Sequence, residues 1–144
     1  MLKTIDPILN PELLRILRAM GHGDEIAIVD ANYPSASAGP ELVRVDGVNT
    51  NRVLDAVLSL MPLDEFVPEA AFTMQVVGDP TRIEPTTEDF AKIVAKHEPK
   101  MKMGSLERFA FYDRVKGAFA VVVTGETRLY GNILLKKGII RPRS

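Results

Sequence analysis

The chain has 144 residues, with 18 Lys and Arg against 19 Asp and Glu, and a formal net charge of -1. That length suits one domain spanning 1–144 with a full core. The balanced charge, free of basic blocks or aromatic–basic interleaving, gives no footprint for nucleic acid. There is no cysteine, which excludes disulfides and thiol chemistry. No apolar run approaches the roughly 20 residues that cross a bilayer, and Met1-Leu2-Lys3-Thr4-Ile5-Asp6 lacks the apolar stretch of a signal peptide. A soluble, cytoplasmic protein with no membrane partner is the expectation.

Taken in order, Asn10-Pro11-Glu12 reads as a helix start: a capping side chain, a proline at the first helical position, then an acid near the positive end of the dipole. Leu13, Leu14, Leu17 and Met20 recur at helical spacing, and Gly21 stands where a terminating glycine belongs. Ile26 to Val29 is a continuous apolar run of strand length, as in a strand buried on both faces, and Asp30 follows it. Asn32 to Pro40, rich in Pro, Ser, Ala and Gly, reads as a loop, and Leu42 to Val45 as a second strand closed by Asp46-Gly47. From about Asn51 to Met61 an apolar stripe predicts a helix that Pro62 stops.

Ala70 to Val77 predicts a third strand, ended by Gly78-Asp79-Pro80. Thr86-Thr87-Glu88-Asp89 suits the cap of a helix carrying Phe90, Ile93 and Val94, with Lys96 and His97 in its last turn. Met101 to Met103 reads as a brief strand, and Ser105 as the cap of a helix through Arg108, Phe109, Phe111 and Val115, with Gly117 past its end. Ala118 to Thr124 is the most apolar strand, and Asn132 to Leu135 begins the last. Strands alternating with helices predict an α/β sandwich, a mixed and mostly parallel sheet covered by helices.

The sharpest chemical candidate is His22, held between Gly21 and Gly23 before the first strand. An imidazole titrates near neutral pH and suits general acid or base work. The competing role is a turn histidine whose ring caps a backbone carbonyl. His22 and His97 are the only histidines and show no metal-ligand spacing, so no metal is expected. His97 reads as a helix-terminal cation, and Asp24 as a turn acid. Asp30 leaves the carboxyl end of a strand, where open α/β sheets place their ligand crevice. It either receives hydrogen bonds from the following turn or faces a ligand. Eight residues of largely extended chain keep His22 and Asp30 apart, so they meet only if the glycine turn folds back or a second subunit supplies one of them.

Arg108 sits in the first turn of its helix, against the dipole, and such local conflicts tend to mark functional positions. Its alternative is a plain surface arginine. Phe109, Phe111 and Tyr112 read as core. Tyr130-Gly131-Asn132 places a phenol and an amide around a glycine at a strand start, a set that binds hydroxyls and that turns also use.

Four stretches together identify a resemblance that runs nearly end to end. They are Gly21-His22-Gly23-Asp24; Asp30-Ala31-Asn32-Tyr33-Pro34; Arg108-Phe109-Ala110-Phe111-Tyr112; and Tyr130-Gly131-Asn132-Ile133-Leu134-Leu135-Lys136-Lys137-Gly138. The chain resembles the L-fucose mutarotase and D-ribose pyranase family, and its Arg-Phe-Ala-Phe-Tyr run resembles the fucose branch. The resemblance implies an α/β fold, cyclic homo-oligomers (usually decamers of two stacked pentameric rings), sites near subunit contacts, and a monosaccharide substrate. It further implies that His22 is the catalytic acid/base and that Asp30, Arg108, Tyr130, Gly131 and Asn132 bind the sugar. No cofactor is implied. The alternatives from other classes are a non-catalytic sugar-binding or transport-associated module, and a mutarotase for another sugar such as D-ribose. Between Glu69 and Lys102 the chain departs from better-known members, so a pocket walled by that segment would have its own sugar preference.

Overall fold

Alternation along the strands decides which face of the sheet each helix covers. The computed structural model describes residues 1–143, and residue 144, the last of the expected domain, lies outside the described residues. The elements are α1 (Pro11–Ala19), β1 (Glu25–Val29), β2 (Glu41–Val45), α2 (Thr50–Leu58), β3 (Glu69–Met74), α3 (Pro85–His97), β4 (Lys102–Leu106), α4 (Arg108–Lys116), β5 (Ala120–Thr124) and β6 (Ile133–Lys136). Six strands form one sheet in the order β2-β5-β1-β6-β3-β4. Every neighbouring pair is parallel except the two made by β6, which runs antiparallel to both β1 and β3.

Side chains of successive strand residues point to opposite faces. Ile26, Ile28, Val122, Ile133 and Leu135 therefore meet α1, α2 and α3 through Leu13, Ile16, Val53, Leu54, Phe90 and Val94. Ala27, Val29, Val121, Val123 and Leu134 meet Phe111 and Val115 of α4 on the other face, joined there by Tyr33 from the loop after β1. The expected mixed, mostly parallel α/β sandwich is the observed fold.

Four local expectations are corrected. Ser105 lies within β4 and its hydroxyl accepts from Gln75 (3.0 Å), whereas Glu107 caps α4, its carboxylate taking the N–H groups of Phe109 and Ala110. A carboxylate there is favoured by both the free N–H groups and the dipole. Thr86 does not cap α3, which starts on Pro85 after Glu84; its hydroxyl is turned instead toward the carbonyls of Leu129 and Tyr130. The third strand ends at Met74, because Val76 to Asp79 close a tight turn. The left-handed glycine of the first turn is Gly23 (φ 89°), whereas α1 ends at Ala19 with Met20 as its cap.

The loop between β5 and β6 is tied down by Arg128, which reaches the buried Glu126 (2.8 Å) and Asp89 of α3 (2.8 Å), while Asn51 of α2 also donates to Asp89. The Arg128 guanidinium holds both carboxyls below their ordinary range. A depressed carboxyl contributes stability above its unfolded-state value, 4.5 for Glu126 and 3.8 for Asp89, and loses it as pH falls through the lower folded value. Denaturant midpoints measured against pH are expected to fall on acidification below about 4.5, and less steeply in Arg128→Met. In the core, Phe90→Ala, at a fully buried ring, is expected to cost about 3–5 kcal/mol in denaturant unfolding.

Candidate active site

Because β6 alone runs against the others, the carboxyl ends of β1, β3, β4 and β5 lie at the same sheet edge as the amino end of β6. That edge collects Asp30 after β1, Met74 at the end of β3, Arg108 at the start of α4, and Tyr130 to Asn132 just before β6. A cleft of about 210 Å³ opens there, lined by Asp30, Asn32, Tyr33, Met74, Val77, Arg108, Tyr112, Leu129, Tyr130 and Asn132. Open sheets place ligand crevices at such edges.

Asp30 and Asn132 clasp the floor of the cleft. The Asp30 backbone N–H donates to Asn132 Oδ1 (2.9 Å), and the Asp30 carboxylate accepts from the N–H groups of Asn32 (3.0 Å) and Gly131 (3.1 Å). Burial pushes the Asp30 carboxyl upward against the lowering effect of these N–H groups. Gly131 is required by crowding: a Cβ there would lie 2.7 Å from Cγ of Glu126 and 3.3 Å from both Cβ of Asp30 and Oγ1 of Thr50. Arg108 spans the rim, its Nε donating to the Tyr112 phenol (3.3 Å) and its guanidinium lying over the Phe109 and Tyr112 rings. The Tyr112 bond raises the arginine above its ordinary value, so it stays a cation.

Of the aromatic residues read as core, only Phe111 is buried; Phe109 is 67% exposed and Tyr112 walls the cleft. Tyr33, missed as a cleft residue, is buried beneath it with its phenol oxygen unpartnered among the described groups. Burial pushes that phenol up.

His22 is not in this cleft. It precedes β1 and so sits at the opposite sheet edge, separated from Asp30 by the length of β1, roughly 16 Å for five residues. The glycine turn does not fold back: the Gly23 N–H is bonded to the Lys137 carbonyl just after β6, and Asp24 accepts from the Gly21 N–H (2.7 Å) as a turn acid. At that edge His22 Nε2 meets Asp64 Oδ1 at 3.0 Å, and its ring lies 5.3 Å from Phe66. Asp64 is buried on the chain leading into β3 and also accepts from the Phe66 N–H (3.0 Å). Burial pushes the Asp64 carboxyl up, but the His22 and Phe66 bonds and the Lys136 charge together carry it below its ordinary value. Asp64 is a partner that sequence reading missed. It stands 42 positions from His22, and only its apolar setting in Pro62-Leu63-Asp64 marks it. His97, by contrast, ends α3 as expected and pairs with Asp55 (2.7 Å).

The chain thus brings Asp30, Arg108, Tyr130 and Asn132 together in one cleft and sets a half-exposed His22 beside the buried Asp64 at the opposite end of the sheet. Comparison with known proteins gives the family. Residues 3–140 match the RbsD / FucU transport protein family. The chain is 45% identical over 148 aligned positions to a fucose mutarotase of Bos taurus, covering 99% of this chain and 96% of that protein. It is similar to a fucose mutarotase of Streptococcus pneumoniae solved with L-fucose, at 44% identity and a TM-score of 0.90, covering 97% of this chain and all of the other. The Bacillus subtilis RbsD solved with D-ribose shares the fold at a TM-score of 0.75 and 24% identity, with 98% and 100% covered. The higher identity to fucose mutarotases agrees with the fucose-branch reading of Arg108 to Tyr112. By sequence and by fold, this chain belongs to the RbsD / FucU family.

Proposed function

We propose that this protein is an isomerase of the mutarotase type that interconverts the α and β anomers of L-fucose. The observation that carries the reading is the convergence of Asp30, Arg108, Tyr130 and Asn132 in one cleft of a chain that matches fucose mutarotases along its whole length.

The chemistry needs two proton transfers. One group removes the proton from the anomeric hydroxyl while another delivers a proton to the ring oxygen. The bond between C1 and the ring oxygen breaks and an aldehyde forms. Rotation about the C1–C2 bond turns the carbonyl, and closure on the other face reverses both transfers. His22 supplies one transfer. With Nε2 held by Asp64, its Nδ1 remains to exchange a proton with the sugar. The Asp30 carboxylate and the Asn132 amide hold hydroxyls together with the Gly131 backbone, Arg108 binds the ring across the rim, and Tyr130 assists the second transfer.

Since His22 and the cleft stand at opposite sheet edges of one chain, the complete site takes His22 from a second copy. A closed ring provides that repeatedly, and the assembly is a decamer of two pentameric rings. The same protein works in the cytoplasm as a single domain over 1–144. Met74 and Val77 line the cleft, and no residue of the Gly78 to Lys100 stretch is among its lining.

Saturation-transfer NMR of anomeric exchange, with L-fucose and D-ribose in parallel, tests the reaction. Enzyme-dependent exchange faster for L-fucose supports it, and binding without exchange would favour a sugar-binding module. His22→Ala is expected to lower the exchange rate on the order of 10²–10⁴-fold. Co-expressing His22→Ala with Arg108→Ala is expected to restore about a quarter of the sites, because random mixing in a symmetric ring pairs intact halves from different chains. No restoration would place the whole site within one chain. Sedimentation should give a mass ten times that of one chain.

A further inference from the structure

Tyr130 is held from three directions, and one of the holds comes from a turn with no part in the cleft floor. Its backbone is left-handed (φ 56°), a conformation that is costly for a non-glycine residue and persists only when neighbours impose it. The buried Thr86 hydroxyl lies 3.1 Å from the Leu129 carbonyl and 3.2 Å from that of Tyr130. The phenol oxygen accepts the backbone N–H of Val77 at 3.0 Å. Val77 lies at the second position of the Val76–Asp79 turn, closed by the Asp79 N–H on the Val76 carbonyl (3.1 Å), with Gly78 third at φ 78°.

A phenol carries one hydrogen to donate and lone pairs to accept with. Here the Val77 N–H occupies an acceptor direction. That bond does not use the phenol's own hydrogen, which is left for an oxygen in the cleft. We propose that the Val77 N–H is a positioning group that fixes Tyr130 as a hydrogen-bond donor to the bound sugar. The assignment rests on the cleft being a mutarotase site. It gives the Val76–Asp79 turn a direct hold on sugar recognition.

The turn itself supplies a clean test. Among the described residues only Thr4 and Tyr130 are non-glycine with positive φ, so Val77 is at negative φ and Gly78 at positive φ. That is the type II pattern, which favours proline at the second position. Val77→Pro therefore keeps the turn and deletes only the N–H and the side-chain shape. Val77→Ala keeps the N–H. With wild-type exchange of L-fucose first established, Val77→Pro is expected to lose about tenfold in kcat/KM relative to Val77→Ala, the effect of one lost hydrogen bond. Val77→Pro/Tyr130→Phe should lose no more than Tyr130→Phe alone, since the N–H acts only through the phenol.

Equal kcat/KM for the Pro and Ala variants, or losses that multiply in the double variant, would overturn the proposal. Absence of exchange in the wild type would instead sink the mutarotase reading. Thermal unfolding checks that Val77→Pro folds. If it does not, the ¹H–¹⁵N signal of Val77 decides: Tyr130→Phe should shift that amide proton upfield, and an unmoved signal overturns the proposal.

Discussion

The clasp between Asp30 and Asn132 is the contact on which the cleft depends. It joins the end of β1 to the start of β6, two strands that the sheet places side by side and antiparallel. The Asn132 side chain takes the last N–H leaving β1, and the Asp30 carboxylate takes the Gly131 N–H coming the other way. A buried carboxylate is tolerable only when its oxygens are occupied, and here two backbone N–H groups do that while leaving it at the cleft floor. The same exchange fixes the approach of Tyr130 and the glycine that follows it.

Around that clasp the structure is stiff where the sugar would be recognised. Arg128 anchors the β5–β6 loop to α3 through Asp89, Thr86 of α3 reaches the carbonyls of Leu129 and Tyr130, and the Val76–Asp79 turn reaches the phenol. A left-handed Tyr130 is the cost of this arrangement. With it the phenol is held at the cleft by the Val77 N–H. The histidine half is built differently: a half-exposed ring, one buried carboxylate and one aromatic neighbour.

Much was legible in the amino-acid order because it is a local matter. The N-cap at Asn10, the apolar run of β1, the stop at Pro62 and the terminal cations of α3 follow from propensity, capping and periodicity over a few residues. The errors came where a side chain had a longer-range use. Thr86 looks like a helix cap and turns to a loop more than 40 positions away. Ser105 looks like a cap and pairs across strands, leaving the role to Glu107. Phe109 looks like core because aromatic residues usually are, yet α4 faces it outward.

By itself the sequence determined that the chain is an α/β domain, that His22, Asp30, Arg108, Tyr130 and Asn132 are its chemical candidates, and to which family it belongs, since all of these reside in short contiguous stretches. Only the tertiary structure decided which candidates meet. The antiparallel insertion of β6 between two parallel groups brings Asp30, Arg108, Tyr130 and Asn132 to one edge, and the length of β1 holds His22 at the other, beside an Asp64 that only its apolar neighbours mark in the sequence. Strand order and direction are set by the burial of two apolar faces at once. That constraint couples residues a hundred positions apart and leaves no mark on any one segment.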